Sequence, residues 1–320
     1  MNRTIVTVLP ALNAAHRERI AAAAERRGFK ALFFDTVDQA LPALREAEIA
    51  FGQSADLAKN SPRLRWLCTP SAGINQFADA GVFASPDAVL TNSSGAYGVT
   101  IAEHVVMLAL EMLRRQPEYN AIVARREWRR DLPIRSIKGS RIVLLGTGDI
   151  GQECALRLRA FGPASLTGVN RSGKNPRALF DRVVTPDQLD SILPETDVVV
   201  ISLPGTAETR HMLDARRLAL LPDQALVINV GRGTVIDQQA LEKELRLGRL
   251  YAALDVFEQE PLPAEDPLWA CPNLLMAPHV AGNMTLPYTK DRIAALFLED
   301  FENYCDGKPL QRQIDLTKGY

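Results

Sequence analysis

The stretch Arg141-Ile-Val-Leu-Leu-Gly-Thr-Gly-Asp-Ile-Gly151 (RIVLLGTGDIG) places the pattern G-x-G-x-x-G directly after an apolar run. The pattern alone is common, but here it follows a predicted strand and opens a predicted helix over Asp149–Phe161, the context in which it binds dinucleotides. Gly146 permits the tight turn, Gly148 lets the backbone approach a pyrophosphate, and Gly151 lets the helix pack close to the strand. The stretch therefore predicts that a dinucleotide binds at the turn between this strand and this helix.

Short β-branched runs alternate with amphipathic helices on both sides of this stretch, which is typical of α/β architecture. The runs TIVTVL, ALFF, IAFG and RLRWLCT precede it, with a helix around Ala14–Arg27 after the first. The runs DVVVISLP, ALVINVG, RLYAALDVF and LLMAPH follow it and predict a second, larger parallel sheet. The turn-rich TNSSGAYG and the longest helical candidate, VTIAEHVVMLALEMLRR, lie between the two sets.

These elements predict two doubly wound parallel-sheet domains. We expect a Rossmann cofactor domain over residues 99–284 and a smaller, flavodoxin-like substrate domain over residues 1–98 plus 285–320. The helix DRIAALFLEDFENYC, after the last strand, is expected to return to the first domain and make it discontinuous.

Composition and charge exclude several classes of protein. The 320 residues are 47% hydrophobic and 23% charged with a formal net charge of −1, so neither nucleic acid nor an anionic membrane is an expected partner. No signal peptide or apolar run of about 18 residues is visible, and we expect a cytoplasmic protein. The basic run RREWRR over Arg125–Arg130 is interpreted as a solvated or subunit-facing surface.

The cysteines are widely scattered, without a CxxC pair or zinc-ligand spacing to a histidine; they are Cys68, Cys154, Cys271 and Cys305. We expect free thiols and no metal site. Cys68 precedes a glycine-containing loop, but no base lies beside it, and we do not expect it to be a nucleophile.

The second strand of the cofactor unit, SLTGV, ends in Asn170-Arg171-Ser172 at the place expected for the adenosine ribose. A carboxylate there would accept hydrogen bonds from both ribose hydroxyls and repel a 2′-phosphate. Asn170 removes that repulsion, and Arg171, Ser172 and Lys174 offer donors suited to a phosphate. The pattern favours NADP(H) over NAD(H); alternatively, Arg171 and Lys174 belong to a merely solvated loop.

Three further motifs follow predicted strands. INVGRGTVID carries Arg232, LDVFEQEPLP carries Asp255 and Glu260, and LMAPHVAG carries His279. Because ligands of doubly wound sheets bind beyond the carboxyl ends of the strands, all three motifs are expected to face the nicotinamide region.

Taken in order and at similar spacing, GTGDIG, NVGRG, DVFEQEPLP and PHVAG resemble the D-isomer-specific 2-hydroxyacid dehydrogenase family, including its glyoxylate/hydroxypyruvate reductase-type members. SAGINQF, SSGAYGVTIAEH and LPGTAETRHML also resemble family segments, so the resemblance covers nearly the whole chain. It implies that Arg232 holds the substrate carboxylate and polarises the keto oxygen. It also implies that His279 exchanges a proton with that oxygen, that Glu260 hydrogen-bonds His279, and that Asp255 contacts the nicotinamide carboxamide.

The chemistry of the side chains agrees with these roles. A guanidinium matches a planar carboxylate with two hydrogen bonds, and the alkoxide formed on hydride arrival needs an acid within reach. A neighbouring carboxylate favours the protonated form of an imidazole. Spacing to the PLP turn favours Glu260 over Glu258. The other histidines are interpreted as solvated on a polar helix face (His16), structural and satisfied in an apolar helix (His104), and without an apparent partner in a loop (His211).

The resemblance also implies the binding residues. The loop PSAGIN is expected to turn the N–H groups of Ala72, Gly73 and Ile74 toward the substrate carboxylate, while Tyr97 either reaches the substrate pocket or packs internally. A homodimer built through the cofactor domain and the helix Val99–Arg115 is implied as well. The positions expected to contact the dinucleotide are Gly146, Gly148, Asp149, Ile150, Gly151, Asn170, Arg171, Ser172, Leu203, Pro204, Val230, Gly231, Arg232, Asp255, His279 and Gly282.

The sequence therefore predicts an NADP(H)-dependent oxidoreductase that interconverts a small 2-oxo acid and a D-2-hydroxy acid. Glyoxylate, hydroxypyruvate and a sugar-derived keto acid are candidate substrates. Two alternatives remain open at this point: an NAD(H)-dependent, phosphoglycerate-type member of the same family, and a nucleotide-sensing, corepressor-like binding protein.

Overall fold

Two sheets of parallel strands, each with its own helices, make up the chain. The computed structural model describes residues 3–77, 80–175 and 177–316. Internal contacts group the chain into unit 1, Met1–Tyr97 with Asn283–Tyr320, and unit 2, Gly98–Gly282. The strands are β1 (Arg3–Val8), β2 (Phe29–Phe34), β3 (Ile49–Gly52), β4 (Trp66–Cys68), β5 (Val89–Thr91), β6 (Arg141–Leu145), β7 (Ser165–Val169), β8 (Arg182–Val184), β9 (Val198–Ile201), β10 (Leu226–Asn229), β11 (Tyr251–Leu254) and β12 (Leu274–Met276).

Helices lie between many of these strands, as the hydrophobic pattern predicts. They are α1 (Ala14–Arg26), α2 (Val37–Leu44), α3 (Asp56–Lys59), α4 (Gly98–Leu113), α5 (Gln116–Ala124), α6 (Asp149–Arg159), α7 (Leu189–Ile192), α8 (Ala215–Leu220), α9 (Gln238–Arg246) and α10 (Pro287–Cys305). Within the described residues, none of them is long and apolar enough to cross a lipid bilayer.

Unit 1 contains a five-stranded parallel sheet in the order β2-β1-β3-β4-β5. Helix α10 packs against it through aromatic rings: Phe297 stacks on Phe51 with ring centroids 4.4 Å apart and on Trp66 at 5.2 Å. The Trp66 indole N–H donates to Thr91 Oγ1 at 2.8 Å, so the buried ring keeps its hydrogen bond. These contacts explain why the C-terminal helix belongs to the same unit as the N-terminal strands.

Unit 2 contains a seven-stranded parallel sheet in the order β12-β11-β10-β9-β6-β7-β8. The chain enters at β6, adds β7 and β8 on one side, and then crosses to β9 and the remaining strands on the other side. Ligands bind doubly wound sheets at such a reversal, which here lies between β6 and β9. The predicted α/β class with two doubly wound parallel sheets is confirmed.

The sequence analysis did not predict two of the strands. Both β5 and β8 have three residues and form an edge of their sheet, where a strand has only one hydrogen-bonded neighbour. Among the described helices the longest is α10, with 19 residues against 16 in α4, contrary to expectation. Helix α10 begins four residues before Asp291 because Pro287 suits the first helical turn.

Candidate active site

The glycine-rich turn joins β6 to α6. Gly146 has φ +101°, a conformation that favours glycine, and a β-carbon on Gly151 would lie 2.1 Å from the Gly146 carbonyl oxygen. A β-carbon on Gly148, in contrast, would meet no atom within 4 Å. Gly146 and Gly151 are therefore required by close packing inside the protein, whereas Gly148 faces open space at the N-terminus of α6. This arrangement fits the pyrophosphate of a dinucleotide.

Asn170, after β7, organises its own loop. Its Nδ2 donates to Thr147 Oγ1 at 2.6 Å and to the Lys174 carbonyl at 2.9 Å, while its Oδ1 accepts from the Ser172 N–H at 3.0 Å. A carboxylate could not donate the first two bonds. Asn170 thus ties the loop after β7 to the glycine-rich turn, and Arg171, Ser172 and Lys174 are exposed in this loop.

The loops after β9 and β10 touch each other. A β-carbon on Gly231 would lie 2.6 Å from the Leu203 carbonyl oxygen, and the neighbouring Val230 N–H donates to Ile201 at 3.0 Å. The Pro204 carbonyl accepts a hydrogen bond from the Thr209 hydroxyl at 2.6 Å. These residues lie at the carboxyl edge of the unit 2 sheet, after β9 and β10. Asn170 follows β7, on the other side of β6 in the strand order.

Three further residues were predicted to contact the cofactor: the first two of α6, and Gly282, which ends unit 2. Asp149 and Ile150 open α6, and the Asp149 carboxylate lies so close to Gly98 that a β-carbon there would be 2.5 Å from Oδ2. Gly282 ends the loop that follows β12. All three lie in unit 2 with the glycine-rich turn.

Arg232 follows β10 in a loop that Asn229 shapes from inside. The buried Asn229 side chain donates to the Arg232 carbonyl at 3.0 Å and accepts from the Gly231 N–H at 3.0 Å. Partial burial lowers the pKa of the Arg232 guanidinium, while the negative charge of Glu260 acts in the opposite direction. A guanidinium that has lost part of its hydration is well suited to bind a carboxylate.

Gly233 brings the Arg232 loop against the loop that carries Glu260. A β-carbon at Gly233 would lie 1.9 Å from the Phe257 carbonyl carbon, so only glycine permits this approach. Phe257 in turn donates its N–H to Glu260 Oε1 at 2.9 Å. The loops after β10 and β11 are therefore locked together.

His279 and Glu260 form a hydrogen-bonded pair. His279 Nδ1 lies 2.7 Å from Glu260 Oε2, and the two side chains are 51% and 35% exposed within the chain. With Nδ1 engaged by the carboxylate, Nε2 is the ring nitrogen available to a substrate oxygen. The structure thus places Arg232, Glu260 and His279 on three successive loops at one edge of the unit 2 sheet.

Asp255 lies buried at the end of β11. Its Oδ1 accepts from the Val280 N–H at 2.8 Å, and Oδ2 accepts from the Ala281 N–H at 3.1 Å. Burial raises the pKa of this carboxyl group, although the two N–H donors oppose that change. The Asp255 side chain is therefore hydrogen-bonded to the loop that carries His279.

The remaining histidines differ from the sequence interpretation. His16 is buried, not solvated: it joins Asn13 in a capping box at the start of α1, and its Nε2 lies 2.6 Å from Asp291 Oδ1. His211 has a partner after all, because its Nε2 lies 2.7 Å from Glu258 Oε1. The two carboxylates of the EQE segment therefore serve different histidines.

His104 also departs from expectation. Its Nε2 is buried without a hydrogen-bond partner among the described residues and lies 3.7 Å from Asp255 Oδ1. It is not the satisfied structural histidine that the apolar helix suggested.

Cys68 is buried in unit 1, as expected of a residue that is not a nucleophile. Burial raises the pKa of its thiol to about 12, so it holds no thiolate at neutral pH.

The loop of residues 70–74 in unit 1 has its carbonyl groups occupied. Tyr97 OH donates to the Pro70 carbonyl at 2.7 Å, Asn92 Nδ2 to the Ala72 carbonyl at 2.8 Å, and Ser71 Oγ to the Gly73 carbonyl at 2.6 Å. Within the described chain, the N–H groups of residues 72–74 donate to no hydrogen bond. Tyr97 is buried and shapes this loop, and burial raises the pKa of its hydroxyl.

Two residues of this edge were missed by the sequence reasoning. Thr147, inside the glycine motif, receives the Asn170 amide, and Asn229 shapes the Arg232 loop. Asn229 has a signal in the sequence, because an amide at the end of an apolar strand and before a glycine often bonds the turn that follows. Thr147 has none, because its role depends on a loop 23 residues away.

Comparison with known proteins identifies related sequences. A model of the NAD-binding domain of D-isomer specific 2-hydroxyacid dehydrogenases matches residues 106–281. Glyoxylate/hydroxypyruvate reductase B of Serratia proteamaculans is 33% identical over 276 residues, which cover 83% of this chain and 84% of that protein.

Solved structures show the same similarity over the whole chain. A D-isomer specific 2-hydroxyacid dehydrogenase family protein from Aeromonas salmonicida is 36% identical with a TM-score of 0.86, covering 99% of this chain and 100% of that one. An NADPH-dependent glyoxylate/hydroxypyruvate reductase from Sinorhizobium meliloti, in complex with NADP and sulfate, is 27% identical with a TM-score of 0.80 and full coverage of both chains.

The fold and the site define a nicotinamide dinucleotide-dependent oxidoreductase. Within that class, the chain belongs to the D-isomer specific 2-hydroxyacid dehydrogenase family. The resemblance of its motifs to this family is confirmed.

Proposed function

We propose that the protein is an NADP(H)-dependent reductase of small 2-oxo acids, with glyoxylate and hydroxypyruvate as the first candidates. The observation that carries the proposal is the 2.7 Å contact between His279 Nδ1 and Glu260 Oε2, on loops adjoining that of Arg232. A carboxylate, an imidazole and a guanidinium at the carboxyl edge of a dinucleotide-binding sheet are the groups that 2-oxo acid reduction needs. The relative from Serratia proteamaculans carries the corresponding name.

His279 is assigned the proton step. Bound NADPH supplies the hydride, which turns the 2-oxo group into an alkoxide. Protonated His279 donates from Nε2 to that oxygen in reduction, and the neutral ring accepts the proton in oxidation. Glu260 holds Nδ1, which orients the ring and leaves Nε2 for the substrate oxygen.

Arg232 is assigned to the substrate carboxylate and to polarisation of the keto oxygen. Its loss of hydration and its place between the glycines of NVGRG support this assignment. The N–H groups of Ala72, Gly73 and Ile74 are also assigned to substrate binding, because an anionic group suits a loop whose carbonyls are occupied and whose N–H groups are not.

The preference for NADP(H) rests on the loop after β7. Asn170 puts no carboxylate beside the ribose, and its amide holds a turn that presents Arg171, Ser172 and Lys174. Two cationic groups and a hydroxyl can bind a 2′-phosphate. The Sinorhizobium meliloti relative is described as NADPH-dependent, in agreement with this proposal.

We also propose a homodimer that forms through unit 2. Trp128, in the segment after α5, is 94% exposed, and Val123 within α5 is 67% exposed. Aromatic side chains are enriched at protein–protein interfaces. Light scattering at several protein concentrations tests this proposal, and a monomer mass throughout contradicts it.

A substrate panel tests the enzymatic proposal. Oxidation of NADPH and of NADH is followed with glyoxylate, hydroxypyruvate and longer 2-oxo acids, with His279→Gln as the inactive control. We expect turnover of a short 2-oxo acid with a higher kcat/KM for NADPH. Preference for NADH together with oxidation of phosphoglycerate would support the phosphoglycerate-type alternative. Tight nucleotide binding without turnover on the whole panel would support a nucleotide-sensing protein.

A further inference from the structure

His104 is placed by α4 against the end of β11. Its side chain is only 14% exposed, and its Nε2 is buried without a hydrogen-bond partner among the described residues. Buried polar atoms are nearly always paired, so an unpaired one calls for an explanation. An acceptor, Asp255 Oδ1, lies 3.7 Å from this nitrogen.

Asp255 anchors three consecutive backbone N–H groups. Its carbonyl accepts from the His279 N–H at 2.8 Å, and its carboxylate accepts from the N–H groups of Val280 and Ala281. The conformation of the His279 loop therefore depends on where the Asp255 side chain lies.

His279 needs such an anchor because its backbone is strained. It has φ +55°, a left-handed conformation that residues other than glycine seldom adopt. Surrounding contacts must hold a residue in this region, and such residues often occur at functional sites. Its N–H donates to the carbonyls of Asp255 and Ala277, and the next two N–H groups donate to the Asp255 carboxylate.

We propose that His104 is a positioning residue for the His279 loop: its Nε2 directs the Asp255 carboxylate, and through it the N–H groups of Val280 and Ala281. The effect of His104 on the conformation of the loop does not depend on the proposed function. Only its expected effect on turnover rests on that function. His104 touches neither of the proposed proton-transfer groups and acts through Asp255.

Amide hydrogen exchange tests the positioning role without cofactor or substrate. His104→Leu removes the ring nitrogens, and the N–H groups of Val280 and Ala281 should then exchange about tenfold faster than in the wild type. His104→Gln keeps an N–H donor and should restore most of the protection. Unchanged exchange in His104→Leu, or no recovery in His104→Gln, would overturn the proposal.

Steady-state kinetics tests the consequence for the reaction. A small misplacement of a reacting group lowers the rate strongly, so kcat should fall about tenfold in His104→Leu while KM for the 2-oxo acid stays within twofold. His104→Gln should recover most of kcat. In an Asp255→Asn background, His104→Leu should have little additional effect on kcat; additive losses would show that His104 does not act through Asp255.

His16→Leu is the matched control, since it removes another buried imidazole that contacts an aspartate. It should lower the melting temperature and leave kcat and the exchange of the Val280 and Ala281 amides unchanged. If the wild type turns over no 2-oxo acid, the proposed function fails, but the exchange experiment still decides the role of His104. If His104→Leu does not fold, the comparison of His104→Gln with His104→Asn takes its place, and equal exchange in those two variants and the wild type would overturn the proposal.

Discussion

Glu260 uses its two oxygens for two different purposes: Oε2 lies 2.7 Å from His279 Nδ1, while Oε1 accepts the Phe257 N–H at 2.9 Å. The bond from Phe257 holds the Glu260 carboxylate within its own loop. The position of the carboxylate therefore does not depend on His279 alone. A base or acid whose partner is held in this way needs less reorganisation when it exchanges a proton. Glu258, two residues earlier, instead contacts His211.

Replacing His279 tests the proton step directly. His279→Gln cannot exchange a proton with the substrate oxygen, and we expect kcat to fall by about 10² to 10⁴. The dissociation constant for NADPH, measured by fluorescence titration, should stay within about threefold. A loss of NADPH binding that matches the loss of rate would assign His279 to the cofactor site instead.

Replacing Glu260 tests the pairing with His279. Glu260→Gln retains the shape of the side chain but removes the carboxylate that holds His279 Nδ1, so kcat for reduction should fall at least about tenfold. The control is Glu258→Gln, whose carboxylate contacts His211. Equal kcat values for the two variants would argue against the role of Glu260.

Replacing Arg171 tests the nucleotide preference. A charge-assisted hydrogen bond to a phosphate contributes about 1.5–3 kcal/mol, so Arg171→Ala should raise KM for NADPH by about 10-fold or more and leave KM for NADH unchanged. Arg177→Ala is the control, because Arg177 lies near the same loop but contacts Gln152 and Glu153. Equal changes in both KM values would show that Arg171 does not contact the 2′-phosphate.

Alanine substitutions at two glycines of the motif are expected to affect different properties: stability at Gly151 and dinucleotide binding at Gly148. Gly151→Ala places a methyl group 2.1 Å from the Gly146 carbonyl oxygen and should lower the free energy of unfolding by at least about 2 kcal/mol. Gly148→Ala meets open space and should change it by less than about 1 kcal/mol. It should nevertheless raise the dissociation constant for the dinucleotide about tenfold or more. Similar losses of stability in both variants would contradict the separate roles.

The buried Asp255 predicts a pH dependence of stability. Burial raises its pKa above the unfolded value near ~3.9, so the ionised form costs folding free energy, and this cost is absent at low pH. The stability of Asp255→Asn relative to the wild type should therefore increase as the pH rises from about 4, and level off above the folded-state pKa. Urea unfolding of both proteins between pH 4.5 and 8 measures it. A difference independent of pH would show that burial does not disfavour the charge.

Local patterns were enough for much of the molecule. The alternation of β-branched runs and amphipathic helices predicts both parallel sheets, and the glycine spacing after β6 predicts the dinucleotide turn. Edge strands β5 and β8 were missed because polar residues closely flank their three residues, whereas the equally short β4 and β12 lie within the longer runs RLRWLCT and LLMAPH. Helix α10 was predicted too short because its first turn, at Pro287, is polar.

Residue type and position after a strand determined the main site candidates. Arg232, Glu260 and His279 stand out because parallel strands deliver the residues that follow them to one edge of a sheet. Only the tertiary structure decided which partners these and other residues have: Glu260 with His279, Glu258 with His211, His16 with Asp291, and Asn170 with Thr147. The same is true of His104 beside Asp255, since helix α4 and strand β11 are about 140 residues apart in the chain. Periodicity records which face of an element is apolar, but a contact between two distant side chains depends on the packing of whole elements, which no local pattern contains.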